Sequence, residues 1–214
     1  MSEAVVFDLD GVILDSEQVW DEVREQLVAD WGGGYSREAQ QAMMGMSSRE
    51  WALYLHEELD VPRSPCEIND EVVRRMLDRY HAELPLIEGA VDAVRSLAEA
   101  FPLAVASSSN RPLIDAVLAG AGVRTCFAAT VSSEEVARGK PAPDVYLEAA
   151  RRLGVAPELC AAIEDSGNGI RAAHAAGLRV IAYPNPHYPP AAEALALADV
   201  ILDSLDQLTP ALIG

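Results

Sequence analysis

Short apolar runs alternate with amphipathic stretches along most of the chain. The apolar runs cover residues 4–7, 103–106, 129–132, 161–163, 179–182 and 200–202. The amphipathic stretches between them cover residues 91–100, 112–119, 143–153 and 169–176. Continuously apolar runs are typical of strands buried on both faces, and their alternation with helices favours a parallel sheet with right-handed crossovers. The pattern therefore predicts an α/β fold with a doubly wound, Rossmann-like parallel sheet.

The alternation is interrupted after the first predicted strand. Helical patterns with no strand between them occupy residues 18–31, 37–44, 49–59 and 69–83. Gly32-Gly33-Gly34 predicts the loop between the first two helices, and Pro85 disfavours continuation of the last one. We therefore predict an inserted α-helical cap domain at 15–86 and a catalytic core made of 1–14 and 87–214. An insert after the first strand should lie over the carboxyl ends of the strands, where ligands bind.

Composition and charge narrow the class of partner. Half of the 214 residues are apolar, and 16 Lys and Arg against 34 Asp and Glu give a formal net charge of -18. Such a charge repels nucleic acid and anionic membranes, so neither is expected as a partner. The apolar run before Asp8 is too short for a signal peptide or a membrane helix, which predicts a cytoplasmic protein. We expect a monomer with reduced structural cysteines, and a dimer is the alternative.

Two aspartates follow the first predicted strand, in the segment Phe-Asp-Leu-Asp-Gly-Val at residues 7–12. Asp8 and Asp10 are close enough to repel each other unless a cation or a shared proton relieves the repulsion. The spacing is compatible with a site for a hard metal ion that leaves one carboxylate free for proton transfer. A solvated turn at the end of the strand is an equal alternative for this segment alone.

Polar side chains also end three later predicted strands or their loops. Residues 107–110, Ser-Ser-Ser-Asn, suit an anion at the start of a helix, although a helix cap is the better interpretation of this segment alone. Lys140 is carried on a Gly-Lys-Pro loop, where it can offset phosphoryl charge or simply be solvated. Glu164 and Asp165 can complete an octahedral oxygen shell for Mg²⁺, or they begin a helix.

Taken in order, these four segments resemble the signature motifs of the haloacid dehalogenase-like hydrolase superfamily, and the resemblance covers essentially the whole chain. It implies that Asp8 is the nucleophile that forms an aspartyl-phosphate. It also implies that Asp10 protonates the leaving oxygen and then activates water, with Lys140 as the third catalytic residue. Hydrolytic dehalogenases of the family lack an acid at the position of Asp10, so the resemblance favours phosphoryl chemistry.

The same resemblance implies the binding residues. Ser107, together with Ser108, is expected to bind the phosphate. Mg²⁺ is expected to be held by Asp8, by Asp165 and by the backbone carbonyl of Asp10. Glu164 is expected either to bind the metal directly or to reach it through water.

The helical insert resembles that of the subgroup that contains β-phosphoglucomutase and many small phosphatases. Mutases of this subgroup carry a His and a Lys in the lid, at positions where this chain has Trp20 and Met44. Both departures favour a phosphatase, and both residues are candidates to face the substrate. Arg49 aligns approximately with a lid arginine that meets a distal phosphate in relatives, although a solvated helix arginine is an equal alternative.

The sequence therefore predicts a Mg²⁺-dependent phosphoric monoester hydrolase that acts on a small phosphorylated metabolite, a sugar phosphate or a similar compound. One alternative is a hexose phosphate mutase of the β-phosphoglucomutase type. A second alternative, from a different class, is a catalytically silent binding protein that keeps the fold. The adjacent carboxylates argue against the second alternative, because a protein that only binds an anion has no need of them.

Overall fold

The computed structural model describes residues 1–43 and 46–214. Within these residues the strands are β1 (Ala4–Phe7), β2 (Leu103–Ser107), β3 (Phe127–Ser132), β4 (Cys160–Glu164), β5 (Arg179–Ala182) and β6 (Val200–Ile201). They form one sheet in the order β3-β2-β1-β4-β5-β6, and every neighbouring pair is parallel. The predicted α/β class with a doubly wound parallel sheet is confirmed.

The helices of the described residues fall into two groups. The first group lies between β1 and β2 and consists of α1 (Glu17–Trp31), α2 (Arg37–Met43), α3 (Ser48–Glu57) and α4 (Pro65–Ala82). The second group is α5 (Ala90–Ala98), α6 (Arg111–Gly120), α7 (Asp144–Leu153), α8 (Gly167–Ala175), α9 (Ala192–Leu195) and α10 (Pro210–Ile213). Among all of these helices, none combines the length and apolarity that crossing a bilayer requires.

The central strands are buried on both faces, which explains why their sequences are continuously apolar. Successive residues of a strand point to opposite sides of the sheet, so β1 contributes to two apolar layers. Val5 and Phe7 pack into the layer that includes residues of α5 and α6, whereas Ala4 and Val6 pack into the layer that includes residues of α7 and α8. Helices therefore cover both faces of the sheet, and the edge formed by the carboxyl ends of the strands is where polar groups can be exposed to a ligand.

The predicted insert contains helices and, at residues 15–43 and 46–86, no named strand. Its two connections to the sheet run side by side, since the amide of Asp15 donates to the carbonyl of Pro85 at 2.9 Å and that of Ile87 to Ile13 at 3.0 Å. Apolar side chains from its helices form a shared buried cluster, which includes Leu27, Trp51, Leu55, Ile68 and Met76. The division into a cap at 15–86 and a core at 1–14 and 87–214 stays a prediction.

Some boundaries differ from those predicted. Helix α4 begins at Pro65 and not at residue 69, because Ser64 and Glu67 form a capping box ahead of the first apolar position of the helix. Strand β3 begins at Phe127, two residues earlier than predicted. The short helices α9 and α10 were not predicted, because elements of one turn are too short to show a helical period. Residue 44, the predicted end of the second helix, lies outside the described residues.

The strand order reverses between β1 and β4, where the connections leave toward opposite sides of the sheet. In open α/β sheets, ligands bind in the crevice at this point, beyond the carboxyl ends of the strands. Asp8 follows β1 directly and Asp165 follows β4 directly. The topology therefore brings together two carboxylates that are far apart in the sequence.

We expect replacement of a central strand residue to be costly. Ile163 in β4 is fully buried, so Ile163→Ala should lower the free energy of unfolding by about 2–5 kcal/mol through lost burial and the cavity left behind. Urea denaturation measures the change. The matched control is Ile201→Ala in β6, because Ile201 is 53% exposed and its loss should cost less than about 1 kcal/mol. Equal effects of the two substitutions would contradict the assignment of β4 to the centre of the sheet.

Candidate active site

A cavity of about 90 Å³ lies at the carboxyl end of the sheet, between the loops that follow the strands and the first helix of the insert. Its wall contains Asp8 and Asp10 from the loop after β1, and Asp165 from the loop after β4. Lys140 reaches the same cavity from the loop before α7. Four residues from three separate motifs of the sequence are thus brought to one site.

Lys140 is shared between two buried carboxylates. Its Nζ lies 2.9 Å from Oδ1 of Asp8 and 2.6 Å from Oε1 of Glu164, and its side chain is only 3% exposed. Burial by itself would lower the pKa of Lys140, but the charges of Asp8 and Glu164 outweigh it and raise the pKa. The ammonium group therefore stays protonated and holds the side chain of Asp8 in place.

Glu164 is held by donors on both of its oxygens. Oε1 accepts from Lys140 and, at 2.7 Å, from the hydroxyl of Tyr146. Oε2 accepts from the amides of Asp165 and Ser166 and from the Ser166 hydroxyl, each at 3.1 Å. A Cβ at Gly169 would lie 1.7 Å from Oε1, so the close approach of α8 to this carboxylate requires glycine. These contacts favour a role for Glu164 in positioning Lys140 over direct binding of a metal.

The carboxylates of Asp8, Glu164 and Asp165 form a buried group whose nearest oxygens all lie within 4.8 Å of one another. Burial raises the pKa of Asp8 to about 8, with Lys140 opposing the rise and Glu164 and Asp10 adding to it. Burial and the charges of Glu164 and Asp8 raise the pKa of Asp165 well above its usual value. Such mutual repulsion is what a bound cation relieves.

Two further features of Asp165 fit a cation at this place. Its Oδ1 is buried and, among the described residues, has no hydrogen-bond partner. Gly11 has a φ of +82°, and a Cβ there would lie 1.9 Å from Oδ2 of Asp165. The chain thus keeps side-chain atoms away from Asp165 on one side and leaves a carboxylate oxygen without a donor, which fits oxygen coordination of a divalent metal ion.

Asp10 is oriented by hydrogen bonds from two sides of the cavity. Its Oδ1 accepts from the hydroxyl of Ser16 at 2.5 Å and from Nε1 of Trp20 at 3.2 Å, both on the side of α1. Its Oδ2 accepts from the hydroxyl of Ser109 at 2.6 Å and from that of Ser107 at 3.5 Å. The carboxylate is therefore fixed in a position separate from the Asp8, Glu164 and Asp165 group.

The three serines after β2 have different surroundings. Ser107 is fully buried, and its hydroxyl accepts from the amide of Ser109 at 2.9 Å. Ser108 and Ser109 line the cavity. The segment 107–110 was interpreted as a helix cap or an anion site without distinguishing its serines. The contact of Ser109 with Asp10 was not predicted, because three consecutive serines carry no signal for which hydroxyl faces inward.

The residues expected from the insert have different locations. Trp20 lines the cavity with Asp8 and Asp10. Arg49 is exposed and lines a separate cleft with Ser47 and Glu134. The structure therefore does not bring Arg49 into the cavity that contains Asp8 and Asp10. Met44 lies outside the described residues. Arg24, which the sequence did not single out, lines the carboxylate cavity.

Comparison with known proteins agrees with this geometry. Residues 3–177 match the family described as haloacid dehalogenase-like hydrolase. The chain belongs to this family. It is 34% identical over 212 residues to hexitol phosphatase B of Escherichia coli (strain K12), a match that covers 96% of this chain and 94% of that protein.

Two further relatives extend the comparison. The chain is 31% identical over 207 residues to the bifunctional riboflavin kinase/FMN phosphatase of Arabidopsis thaliana, but it spans only 54% of that protein's length. The crystal structure of CbbY from Rhodobacter sphaeroides in complex with phosphate is 30% identical, with a TM-score of 0.85 and coverage of 97% of this chain and 96% of that one. The predicted superfamily is confirmed, and the relatives named as phosphatases confirm the predicted enzyme class, phosphoric monoester hydrolase.

Binding of a divalent cation should be coupled to proton release. Because the pKa of Asp8 is raised to about 8 without a metal, binding of Mg²⁺ must displace protons at lower pH. The affinity for Mg²⁺ should therefore rise between about pH 6 and about pH 8 and then level off. Calorimetry in two buffers of different ionisation enthalpy measures the protons released.

The matched pair of variants for this titration is Asp165→Asn and Asp15→Asn. Asp165→Asn should weaken Mg²⁺ binding by roughly tenfold or more, because it removes a buried carboxylate from the group. Asp15 is exposed, and its replacement should leave the affinity within about twofold. Binding that is independent of pH and releases no protons would contradict the assignment.

Proposed function

We propose that this hydrolase is a Mg²⁺-dependent phosphatase that transfers the phosphoryl group of a small phosphorylated metabolite to Asp8 and then to water. The observation that carries the proposal is the ion-paired chain from Asp8 through Lys140 to Glu164, with Asp165 on one side and Asp10 fixed across the cavity. A held carboxylate nucleophile next to a separately held acid/base group is the arrangement that two-step phosphoryl transfer requires.

In the first step Asp8 attacks phosphorus with its free oxygen, while Oδ1 stays paired with Lys140. The ammonium group of Lys140 offsets negative charge on the phosphoryl oxygens, and Ser108, which lines the cavity, donates to those oxygens from its hydroxyl and amide groups. Asp10 gives its proton to the leaving oxygen. The products of this step are an aspartyl-phosphate on Asp8 and a free alcohol.

In the second step Asp10, now ionised, accepts a proton from the attacking water, and inorganic phosphate leaves Asp8. The hydrogen bonds from Ser16, Trp20 and Ser109 hold the Asp10 carboxylate in one orientation for both transfers. Asp8, Asp165 and the backbone carbonyl of Asp10 would hold Mg²⁺, and the bound ion would supply the positive charge that lets an anionic phosphate approach an anionic nucleophile.

Two observations support a small phosphorylated metabolite as the substrate. The cavity of about 90 Å³ lies between α1 and the loops at the strand ends, and this size suits a phosphoryl group with a compact leaving group. One relative that matches nearly the full chain is named hexitol phosphatase B. We therefore place the substrate among sugar phosphates, polyol phosphates and compounds of similar size.

Among the described contacts we find support for hydrolysis in preference to the mutase alternative. Trp20, at the position where subgroup mutases are expected to have His, donates its indole hydrogen to Asp10 and offers no titratable group to gate the second step. The position of Met44 lies outside the described residues. The two reactions differ in product, since a phosphatase forms inorganic phosphate and a mutase forms glucose 6-phosphate from β-glucose 1-phosphate.

Replacement of the nucleophile should abolish turnover. Asp8→Asn keeps the size of the side chain but removes the nucleophilic charge, so hydrolysis of p-nitrophenyl phosphate with Mg²⁺ should fall by roughly a thousandfold or more. The control Asp15→Asn should retain activity, and circular dichroism should show both variants folded. Undiminished turnover by Asp8→Asn would contradict the proposal, and glucose 6-phosphate as the main product from β-glucose 1-phosphate would replace it with the mutase.

Loss of the acid/base group should depend on the leaving group. In Asp10→Ala, kcat/KM for an alkyl ester such as a hexitol phosphate should fall by roughly a hundredfold to ten thousandfold, since an alkoxide needs a proton to leave. The kcat/KM for p-nitrophenyl phosphate should fall much less, because nitrophenolate leaves without one. An equal loss for both esters would show that Asp10 does not act as the acid in the first step.

A further inference from the structure

A second buried cation faces the cavity, and the chemistry above does not use it. Arg24 on α1 is 7% exposed and lines the same cavity as Asp8, Asp10 and Lys140. Its guanidinium carbon lies 4.9 Å from the ring centre of Trp20 and 5.3 Å from that of Trp51. The two indole rings therefore hold the guanidinium group as part of the cavity wall.

Arg24 lacks a direct counter-ion within the described part of the chain. Its Nε is buried without a hydrogen-bond partner, and no carboxylate of residues 1–43 and 46–214 forms an ion pair with it. Burial lowers the pKa of Arg24, and the more distant acidic groups, with Glu17 first among them, oppose this. Arginine nevertheless stays ionised in proteins, so a positive charge remains at the cavity wall.

A buried charge is costly unless it is paired, and contact with aromatic rings offsets only part of that cost. The two buried cations of the cavity differ in how closely carboxylates approach them. Lys140 has two carboxylates within ion-pair distance, whereas Arg24 has only rings in close contact and carboxylates farther away. An anion inside the cavity would therefore gain more from Arg24 than from Lys140.

Arg24 lies near Asp10, the residue that we propose protonates the leaving group. Nε1 of Trp20 donates to Asp10, and Arg24 lies against the ring of the same tryptophan, so one indole separates the acid/base carboxylate from the guanidinium group. Asp10 must sit beside the leaving oxygen in order to protonate it. Arg24 therefore lies on the side of the cavity that the leaving group occupies.

We propose that Arg24 binds an anionic group on the leaving-group side of the substrate, a carboxylate or a second phosphate, and that the enzyme prefers phosphomonoesters that carry one. This inference rests on the proposed phosphatase function. It assigns the recognition of the distal anion to Arg24, on the first helix of the insert, while the exposed Arg49 lines a different cleft. The planar guanidinium group suits both oxyanions, because its N–H donors match two oxygens at once.

Three esters of the same carbon length test the preference. Glycerol 3-phosphate has a neutral leaving group, 3-phosphoglycerate has a carboxylate, and propane-1,3-diol bisphosphate has a second phosphate. At an ionic strength near 0.15 M, which screens the long-range repulsion of the net charge, kcat/KM for at least one anionic ester should exceed that for glycerol 3-phosphate by about tenfold or more. The ester that shows the larger gain identifies the source of the anion.

The substitution Arg24→Gln tests the residue. It removes the charge and keeps hydrogen-bond donors, so the ratio of kcat/KM for the preferred anionic ester to that for glycerol 3-phosphate should fall by roughly tenfold to a hundredfold. Arg24→Lys should keep more of this ratio than Arg24→Gln. The matched control is Arg63→Gln, because Arg63 also stacks on an indole, that of Trp31 at 5.5 Å, but does not line the cavity.

The outcomes separate this inference from the proposed function. If p-nitrophenyl phosphate is not hydrolysed, the phosphatase function fails and the inference fails with it. If it is hydrolysed but the unaltered enzyme shows no preference for either anionic ester, only the inference is overturned, and this result does not depend on the folding of any variant. An equal loss of activity toward all three esters in Arg24→Gln would overturn it as well, since that is the result of a structural role.

Discussion

The structure of the site depends on one buried ammonium group shared between two carboxylates. Lys140 joins Asp8, at the end of β1, to Glu164, at the end of β4, across the point where the strand order reverses. Without the lysine, these buried carboxylates would face each other unpaired, a situation that proteins avoid because of its desolvation cost. Tyr146 and the amides that precede α8 donate further hydrogen bonds to Glu164, so this carboxylate is held in place and positions Lys140 beside Asp8.

The insert is joined to the chemistry through Asp10. Ser16 and Trp20 on the side of α1 hold one oxygen of this carboxylate, and the serines after β2 hold the other. Movement of α1 away from the sheet would break the first two hydrogen bonds while leaving the ion pair of Asp8 with Lys140 intact. In the proposed mechanism, the orientation of Asp10 as the acid/base group would therefore depend on α1 lying over the cavity, whereas the orientation of Asp8 as the nucleophile would not, and proton transfer would be coupled to the exclusion of water.

Most of the fold could be predicted from the sequence, because buried parallel strands and amphipathic helices leave strong periodic patterns, and β5 has the predicted bounds. The polar groups at the strand ends could also be placed, since parallel strands bring their carboxyl ends to one edge. The orientation of single side chains could not be predicted. Arg24 and Arg49 are both helix arginines of the insert, and only the packing of α1 against Trp51 and the cavity distinguishes the buried one from the exposed one.

A chain with a formal net charge of -18 that binds an anion needs local charges that oppose the global one. The described site has two buried cations, Lys140 and Arg24, and they differ in the groups that contact them. Lys140 is paired with the carboxylates of Asp8 and Glu164 and so holds Asp8 in place, while in the proposed mechanism a metal ion at Asp8 and Asp165 would attract the phosphoryl group. The charge of Arg24 is available to an anionic ligand, because the indole rings of Trp20 and Trp51 contact the guanidinium group and no carboxylate of the described residues pairs with it. In the proposed function, catalysis and selectivity thus rest on different cations, so replacement of Arg24 would change the leaving-group preference while Lys140 keeps its contacts with Asp8 and Glu164.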